Sequence, residues 1–366
     1  MKIIQLIYSL KSGGAEKFVV SLSNALAMRD HDVTVCMLLS SDKTEYIFNR
    51  QFLLPDVKFV TMNFDQGFSI KKKKVVENFI ESERPDVVHC HLNVLPYIFN
   101  TAIKCRTIKF VHTLHNIANK ASGHILQKLI NKWFYKNGII TPVTISDQCN
   151  LSYKKFYSLD NAYCIYNGCD IPMKSSNYEQ VYNEIESYKT TNDTKVFVHV
   201  ARYHAQKNQQ LLINAFNRFK LLNKDYILLV IGEGFDKGTG LDLVKSSMPN
   251  IHYLGLKPNV VDYLYLANAF CLTSIYEGLP ISLLESLACG VTPICTSVGG
   301  IPDVITDGVN GYLSYDVSIE SYMEAIERYD SANNEIKRSD LTNYFREKYS
   351  IDSCVTHYLM IYEKRS

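Results

Sequence analysis

At 366 residues the chain is too long for one ordinary hydrophobic core and suits two domains of typical size. Its 46% hydrophobic and 21% charged residues, with 17 Gly and 10 Pro, exclude disordered and fibrous classes. The net charge of +2 hides a split: residues 1–175 carry 22 Lys+Arg against 14 Asp+Glu, and residues 176–366 carry 17 against 23. Only the first half therefore suits an anionic partner, such as a membrane surface or a lipid-phosphate acceptor, and no nucleic-acid partner is expected.

The chain opens with Lys2 and an apolar run, Ile3 to Leu10, that contains Gln5 and stops at Lys11. The following Gly13-Gly14-Ala15-Glu16 is no cleavage site, so the run reads as a buried strand rather than a signal peptide. No stretch reaches the ~18 apolar residues of a membrane span. Further strands are expected at Val33–Leu39, Val57–Thr61, Asp86–His91, Ile108–His112, Pro142–Ile145 and Tyr163–Tyr166. Helices between them include Ala15–Met28, Ile70–Ser82, His124–Tyr135 and Asp147–Phe156. Ten cysteines are scattered through apolar stretches without a C-x-x-C pair, which points to reduced thiols in a cytoplasmic protein.

Asn167-Gly168-Cys169-Asp170-Ile171-Pro172, with a polar stretch after it, reads as a hinge. It separates a domain over 1–170 from a second over 176–349. Beyond it the rhythm repeats, with strands at Val196–Val200, Ile227–Ile231, Ile251–Leu254, Ala269–Leu272 and Thr292–Cys295. Helices there include Asn208–Leu222, Val260–Ala267, Ile281–Cys289 and Glu320–Tyr329, and Ser350–Tyr362 closes the chain as an amphipathic helix. This alternation predicts an α/β fold with one parallel, doubly wound, Rossmann-like sheet per half. In such sheets ligands bind beyond the carboxyl ends of strands.

The sharpest local signal is Glu277-Gly278-Leu279-Pro280-Ile281 running on to Glu285 and Gly290. Pro280 suits a first helical residue, Gly278 permits close backbone approach, and the free N–H groups of a helix start form a diphosphate site. Glu285, among Leu283, Leu284 and Leu287, needs polar partners that ribose hydroxyls would supply. Taken alone, the same residues also read as a helix start with a solvent-facing glutamate.

Glu277 and Glu285, with seven residues between them, resemble the paired glutamates of the retaining glycosyltransferases of family 4, which have the GT-B fold. The order of landmarks extends the resemblance along nearly the whole chain: Ser12-Gly13-Gly14, His112-Thr113-Leu114-His115-Asn116, Thr144-Ile145-Ser146, Tyr166–Asp170, Ala201-Arg202 with Lys207-Asn208, Ile231–Gly234, Leu254-Gly255 and Val298–Pro302. The resemblance implies two domains facing across a central cleft, with the final helix, about 350–366, crossing back to the first. It implies that Arg202 and Lys207, together with Gly278, Leu279, Pro280 and Ile281, hold the diphosphate of a nucleotide sugar, most often uridine diphosphate-linked. Glu285 would fix the ribose, Gly232 and Leu256 would border the base, and the backbone N–H of Gly14 would face the donor phosphate. Glu277 and His115 would meet the transferred sugar. Two cations in place of a metal imply no metal and no cofactor. Ala201 stands where the family usually has glycine, which a negative φ would accommodate.

Other residues invite weaker readings. His89 and His91 share one face of a strand; His91 is placed at the cleft floor as readily as in a structural role, and His112 reads as a satisfied core histidine. Asp30-His31-Asp32 spells a metal-binding D-x-D but falls at the amino end of a strand. Lys71 to Lys74, near Phe68 and Ile70, read as a solvated face or as a contact with anionic membrane at the inner face of the plasma membrane. Acceptors implied by the resemblance are saccharides or lipid-linked saccharides of bacterial surface polysaccharide synthesis. The rival readings are a GT-B sugar-nucleotide epimerase or hydrolase, a phosphorylase-like enzyme, and a non-catalytic nucleotide-sugar binder.

Overall fold

The computed structural model describes residues 1–121, 125–220, 224–332 and 336–364; the expected helix ends at His124, Leu222 and Ser366 lie outside the described residues. The chain forms two units, Met1–Asp170 with Tyr349–Ser366, and Ile171–Lys348.

The first unit holds seven strands: β1 (Lys2–Ile7), β2 (Asp32–Leu39), β3 (Lys58–Phe64), β4 (Val87–His91), β5 (Lys109–Leu114), β6 (Thr141–Thr144) and β7 (Tyr163–Cys164). They pair in parallel in the order β3-β2-β1-β4-β5-β6-β7. Central strands such as β4 are buried along their whole length, as expected where helices cover both faces. The chain moves outward from β1 to β3 and returns to β4, so the order reverses between β1 and β4. Helix Ile351–Glu363 belongs to this unit and lies along Gly14–Ala27. Ser350 caps it by accepting from Ser353 N, and Arg29 donates to Thr356 Oγ1 and to the Asp352 carbonyl, both at 3.0 Å.

The second unit holds β8 (Lys195–Val200), β9 (Tyr226–Ile231), β10 (Ile251–Gly255), β11 (Ala269–Leu272), β12 (Thr292–Thr296) and β13 (Tyr312–Ser314). All are parallel, ordered β10-β9-β8-β11-β12-β13, with the reversal between β8 and β11. The three-residue β13 was not expected from the sequence, being too short for a periodic signal. Phe197, Phe216, Phe219 and Tyr226 fill one side of this sheet, each contributing roughly 1.5–3 kcal/mol by burial. All ten cysteines are free thiols and eight are buried. Among the described residues no helix is long and apolar enough to cross a membrane.

Candidate active site

The reversal between β8 and β11 opens the sheet of the second unit at its carboxyl edge, and two loops fill the gap. One runs from β8 to Asn208, the other from β11 to Pro280. Their backbones are stitched together: Thr273 Oγ1 donates to the carbonyls of Lys207 and Asn208 at 3.1 Å, and Ile275 N donates to Gln206 O at 2.8 Å. This brings two residues seventy positions apart into contact. Lys207 Nζ lies 2.6 Å from Glu277 Oε1, Ser274 Oγ donates to the same oxygen at 2.5 Å, and Gln206 Nε2 donates to Oε2 at 3.3 Å. Glu277 is only 5% exposed, so these three donors offset the desolvation of its charge.

The loop after β12 completes the frame. Gly299 takes φ +55°, and a Cβ there would sit 2.0 Å from the Glu277 carbonyl oxygen. Only glycine satisfies both demands. Gly300 N donates to Gly278 O at 2.8 Å, and Thr296 Oγ1 to Ser274 O at 2.7 Å.

Arg202 is exposed, while the backbone carrying it is anchored from below. Gln209 Nε2, fully buried, donates to Arg202 O at 2.9 Å and approaches His199 Nε2 at 3.4 Å, and His199 Nδ1 pairs with Cys271 O at 2.9 Å. Burial pushes the His199 imidazole down to about 4, so it is neutral, with its proton on Nδ1 toward the carbonyl. His204 also falls below its ordinary value, first through burial and then through the charges of Arg202 and Lys207. His199, Gln206, Gln209 and Ser274 escaped the sequence reading. His199 inside β8 and Ser274 just after β11 carried a signal, a polar residue in or beside an apolar strand, while Gln206 and Gln209 carried none. Ala201 is not among the residues with positive φ, so its methyl group is accommodated.

Gly232 and Leu256 belong to the same edge. Gly232 N donates to Gly255 O at 2.9 Å, and at φ +154° a Cβ on Gly232 would stand 2.0 Å from Ala201 O. Leu256, next along the chain, is exposed.

Helix Ile281–Ala288 starts beside this cluster. Pro280 is its cap, at φ −70° and ψ 127°, rather than its first helical residue as expected; its extended ψ keeps it outside the helix. No side chain caps the start, which leaves the positive end of the helix dipole to other partners. Leu279 and Ile281 are buried, and Glu285 is 7% exposed, so a solvent-facing glutamate is ruled out. Glu285 already has an interaction partner within the protein.

Gly14 and His115 belong to the first unit. Gly14 opens helix Gly14–Ala27, one residue earlier than expected, and is exposed. One turn on, the Phe18 ring lies edge-on to the His115 ring at 5.5 Å. His115 follows β5, and its Nε2 pairs with His91 Nδ1 at 2.9 Å. His91 is fully buried and touches His115 from beneath, so it does not line an open floor. His112 pairs with Tyr135 Oη at 2.7 Å and Leu92 O at 3.0 Å, which satisfies both ring nitrogens. Asp32 is paired with Lys58 at 2.9 Å, and among the described residues no three His, Cys, Asp or Glu side chains gather into a metal-binding group.

A family model for Glycosyl transferases group 1 matches residues 182–348, and one for Glycosyltransferase Family 4 matches residues 12–171, together most of the chain. The chain belongs to glycosyltransferase family 4. This glycosyltransferase is 28% identical to the N-acetyl-alpha-D-glucosaminyl L-malate synthase of Bacillus anthracis, over 82% of this chain and 80% of the relative. It is also 28% identical to a Campylobacter jejuni 4-alpha-N-acetylgalactosaminyltransferase that acts on a diphospho-undecaprenol-linked saccharide, over 79% of each chain. Its fold matches that of Anabaena HepE, solved with UDP and glucose, at a TM-score of 0.79 and 17% identity over 98% of each chain. The architecture is GT-B, with two Rossmann-like domains. In the transferase's second domain, a cation, a held carboxylate and an uncapped helix start share one edge, which suits an anionic leaving group beside a hydroxylated one.

Proposed function

We propose that this glycosyltransferase is a metal-independent, retaining hexosyltransferase that takes its sugar from a uridine diphosphate-linked donor. The observation that carries the proposal is the Lys207–Glu277 contact beside the uncapped start of Ile281–Ala288. Arg202, Lys207 and the helix start stabilise the departing diphosphate, with Leu279, Pro280 and Ile281 forming its bed and Glu285 directed to the ribose. Gly232 and Leu256 border the base, and Gly14 N–H approaches the donor phosphate. Glu277 binds hydroxyls near the anomeric carbon, and His115 meets the same sugar. The acceptor hydroxyl attacks from the face the diphosphate leaves, and its proton passes to the departing phosphate oxygen. Fixed cations take the place of a divalent ion, so no metal and no other cofactor is needed.

The acceptor is a saccharide or lipid-linked saccharide of bacterial surface polysaccharide synthesis; the Campylobacter relative, which acts on such a molecule, supports this. Contact with the inner face of the plasma membrane goes with it. Lys72 Nζ is engaged by the carbonyls of Asp65 and Gly67, and Lys73 by Glu77 at 3.7 Å, so the lysine run is partly occupied. Helix Ile125–Lys136 offers a better surface: Ile125, Leu129 and Trp133, four residues apart, are 78%, 57% and 51% exposed, beside Lys128, Lys132 and Lys136.

The test is release of nucleoside diphosphate from a panel of nucleotide sugars, with and without chelator. Slow, chelator-resistant release from one donor is expected, abolished in Lys207→Ala and Glu285→Ala. Dependence on added divalent metal would refute the metal-free reading. For the membrane contact, Trp133→Ser should weaken sedimentation with anionic vesicles while leaving that release intact.

A further inference from the structure

Three adjacent strands of the first domain place a row of polar side chains beneath His115. Gln5 lies on β1, His91 ends β4, and His115 follows β5. Gln5 Oε1 is 2.7 Å from His91 Nε2, and His91 Nδ1 is 2.9 Å from His115 Nε2. Gln5 and His91 are fully buried, so no water competes for these bonds. The row ends at His115 Nδ1, a buried atom with no hydrogen-bond partner.

The protons along this row are not independent. An amide oxygen only accepts, so His91 Nε2 carries the hydrogen. A neutral imidazole has one N–H, which makes His91 Nδ1 an acceptor and His115 Nε2 the donor to it. Burial pushes the imidazoles of His91 and His115 well down, which keeps both neutral. His115 Nδ1 is then a bare lone pair. Were the Gln5 amide turned over, its nitrogen would donate to His91, every proton in the row would shift by one atom, and His115 Nδ1 would become a donor.

We propose that Gln5 and His91 are positioning residues that hold His115 in its Nε2–H form, so that Nδ1 accepts a hydrogen bond from a hydroxyl of the transferred sugar. The proposal rests on the functional reading above, because it takes His115 to face substrate. It adds a selection rule: a lone pair at that point welcomes a sugar hydroxyl and repels a phosphate or carboxylate oxygen.

The test uses the full-length protein with 15N-labelled histidine. Long-range proton–nitrogen correlation spectra identify the protonated nitrogen of each ring, and loss of one signal set in His115→Gln assigns His115. A protonated Nε2 and bare Nδ1 near neutral pH are expected. That form should give way to a tautomer mixture in Gln5→Leu and His91→Leu. A protonated Nδ1 in the native protein, or an unchanged His115 spectrum in both leucine variants, would overturn the proposal. In turnover, Gln5→Leu should raise KM for the nucleotide sugar about 3- to 10-fold, the worth of one neutral hydrogen bond, with inhibition by UDP unchanged. Equal weakening of UDP and nucleotide sugar would show that His115 does not read a hydroxyl. If the native enzyme turns over no nucleotide sugar, the functional reading fails while the spectra still decide the relay.

Discussion

The two domains share a topology and handle polar groups at the carboxyl edges of their sheets in opposite ways. In the second, the edge is ionic: Lys207 meets Glu277, and Ser274 and Gln206 complete the carboxylate's shell. In the first, it is neutral: His115 rests on His91 and Gln5, while His89 pairs with Thr113 Oγ1 and Tyr362 Oη, both at 2.7 Å. A fixed charge pair suits a group whose charge changes as a bond breaks. A row of neutral imidazoles suits recognition of hydroxyls, where direction matters more than charge. One fold thus supplies two kinds of edge, and the difference lies in a handful of side chains.

The contrast is broken most severely at its ionic side. Lys207→Ala leaves Glu277 buried without its cation; kcat/KM for donor turnover should fall about 10²- to 10³-fold, and chemical denaturation should show a loss of roughly 3 kcal/mol. Acid separates the domains next. His89, His91, His112 and His115 of the first are held below their ordinary value by burial, His112 at about 4 and His115 at about 3, against His199 at about 4 as the one comparably buried histidine among the described residues of the second. Unfolded, each takes up a proton near pH 6.5; folded, each stays neutral. The unfolded chain therefore binds more protons below that pH, and stability falls as pH drops from 6.5 toward those folded values. Each histidine contributes a slope of up to about 1.4 kcal/mol per pH unit. Hydrogen exchange at pH 5 should show the first domain opening before the second.

A milder perturbation is Gly299→Ala. The methyl group would press on the Glu277 carbonyl at a left-handed backbone position, so a destabilisation of about 1–3 kcal/mol is expected by thermal melting. The smallest effect belongs to Lys71→Gln with Lys74→Gln, both exposed on helix Ile70–Glu83. Melting should change by no more than about 0.5 kcal/mol.

Much of this was legible beforehand. The alternation of apolar strands with longer amphipathic runs announced two parallel sheets, and the spacing of Glu277 from Glu285 marked the helix beside the site. Contacts across sequence were not legible. Lys207 and Glu277 each read as groups for substrate, and only the folded loops show that they hold one another. Gln5 looked like an interruption in an apolar strand, and His91 like a cleft-floor or structural residue, because period-two patterning gives the face of a side chain but not its neighbour in the next strand. Gln209 sat at the start of a helix, where polar residues are routine. The capping position of Pro280 was missed by one residue, since a proline fits both the cap and the first turn.

Helix Ile351–Glu363 carries a consequence for how the molecule is made. Tyr362 and Tyr358, near the end of the chain, supply hydrogen-bond partners to His89 and Thr113 inside the first domain. On the ribosome the rest of that domain emerges well before this helix, so its interior stays incomplete until residues 351–363 have left the exit tunnel. Truncation before Ser350 would therefore damage a domain whose sheet was synthesised much earlier.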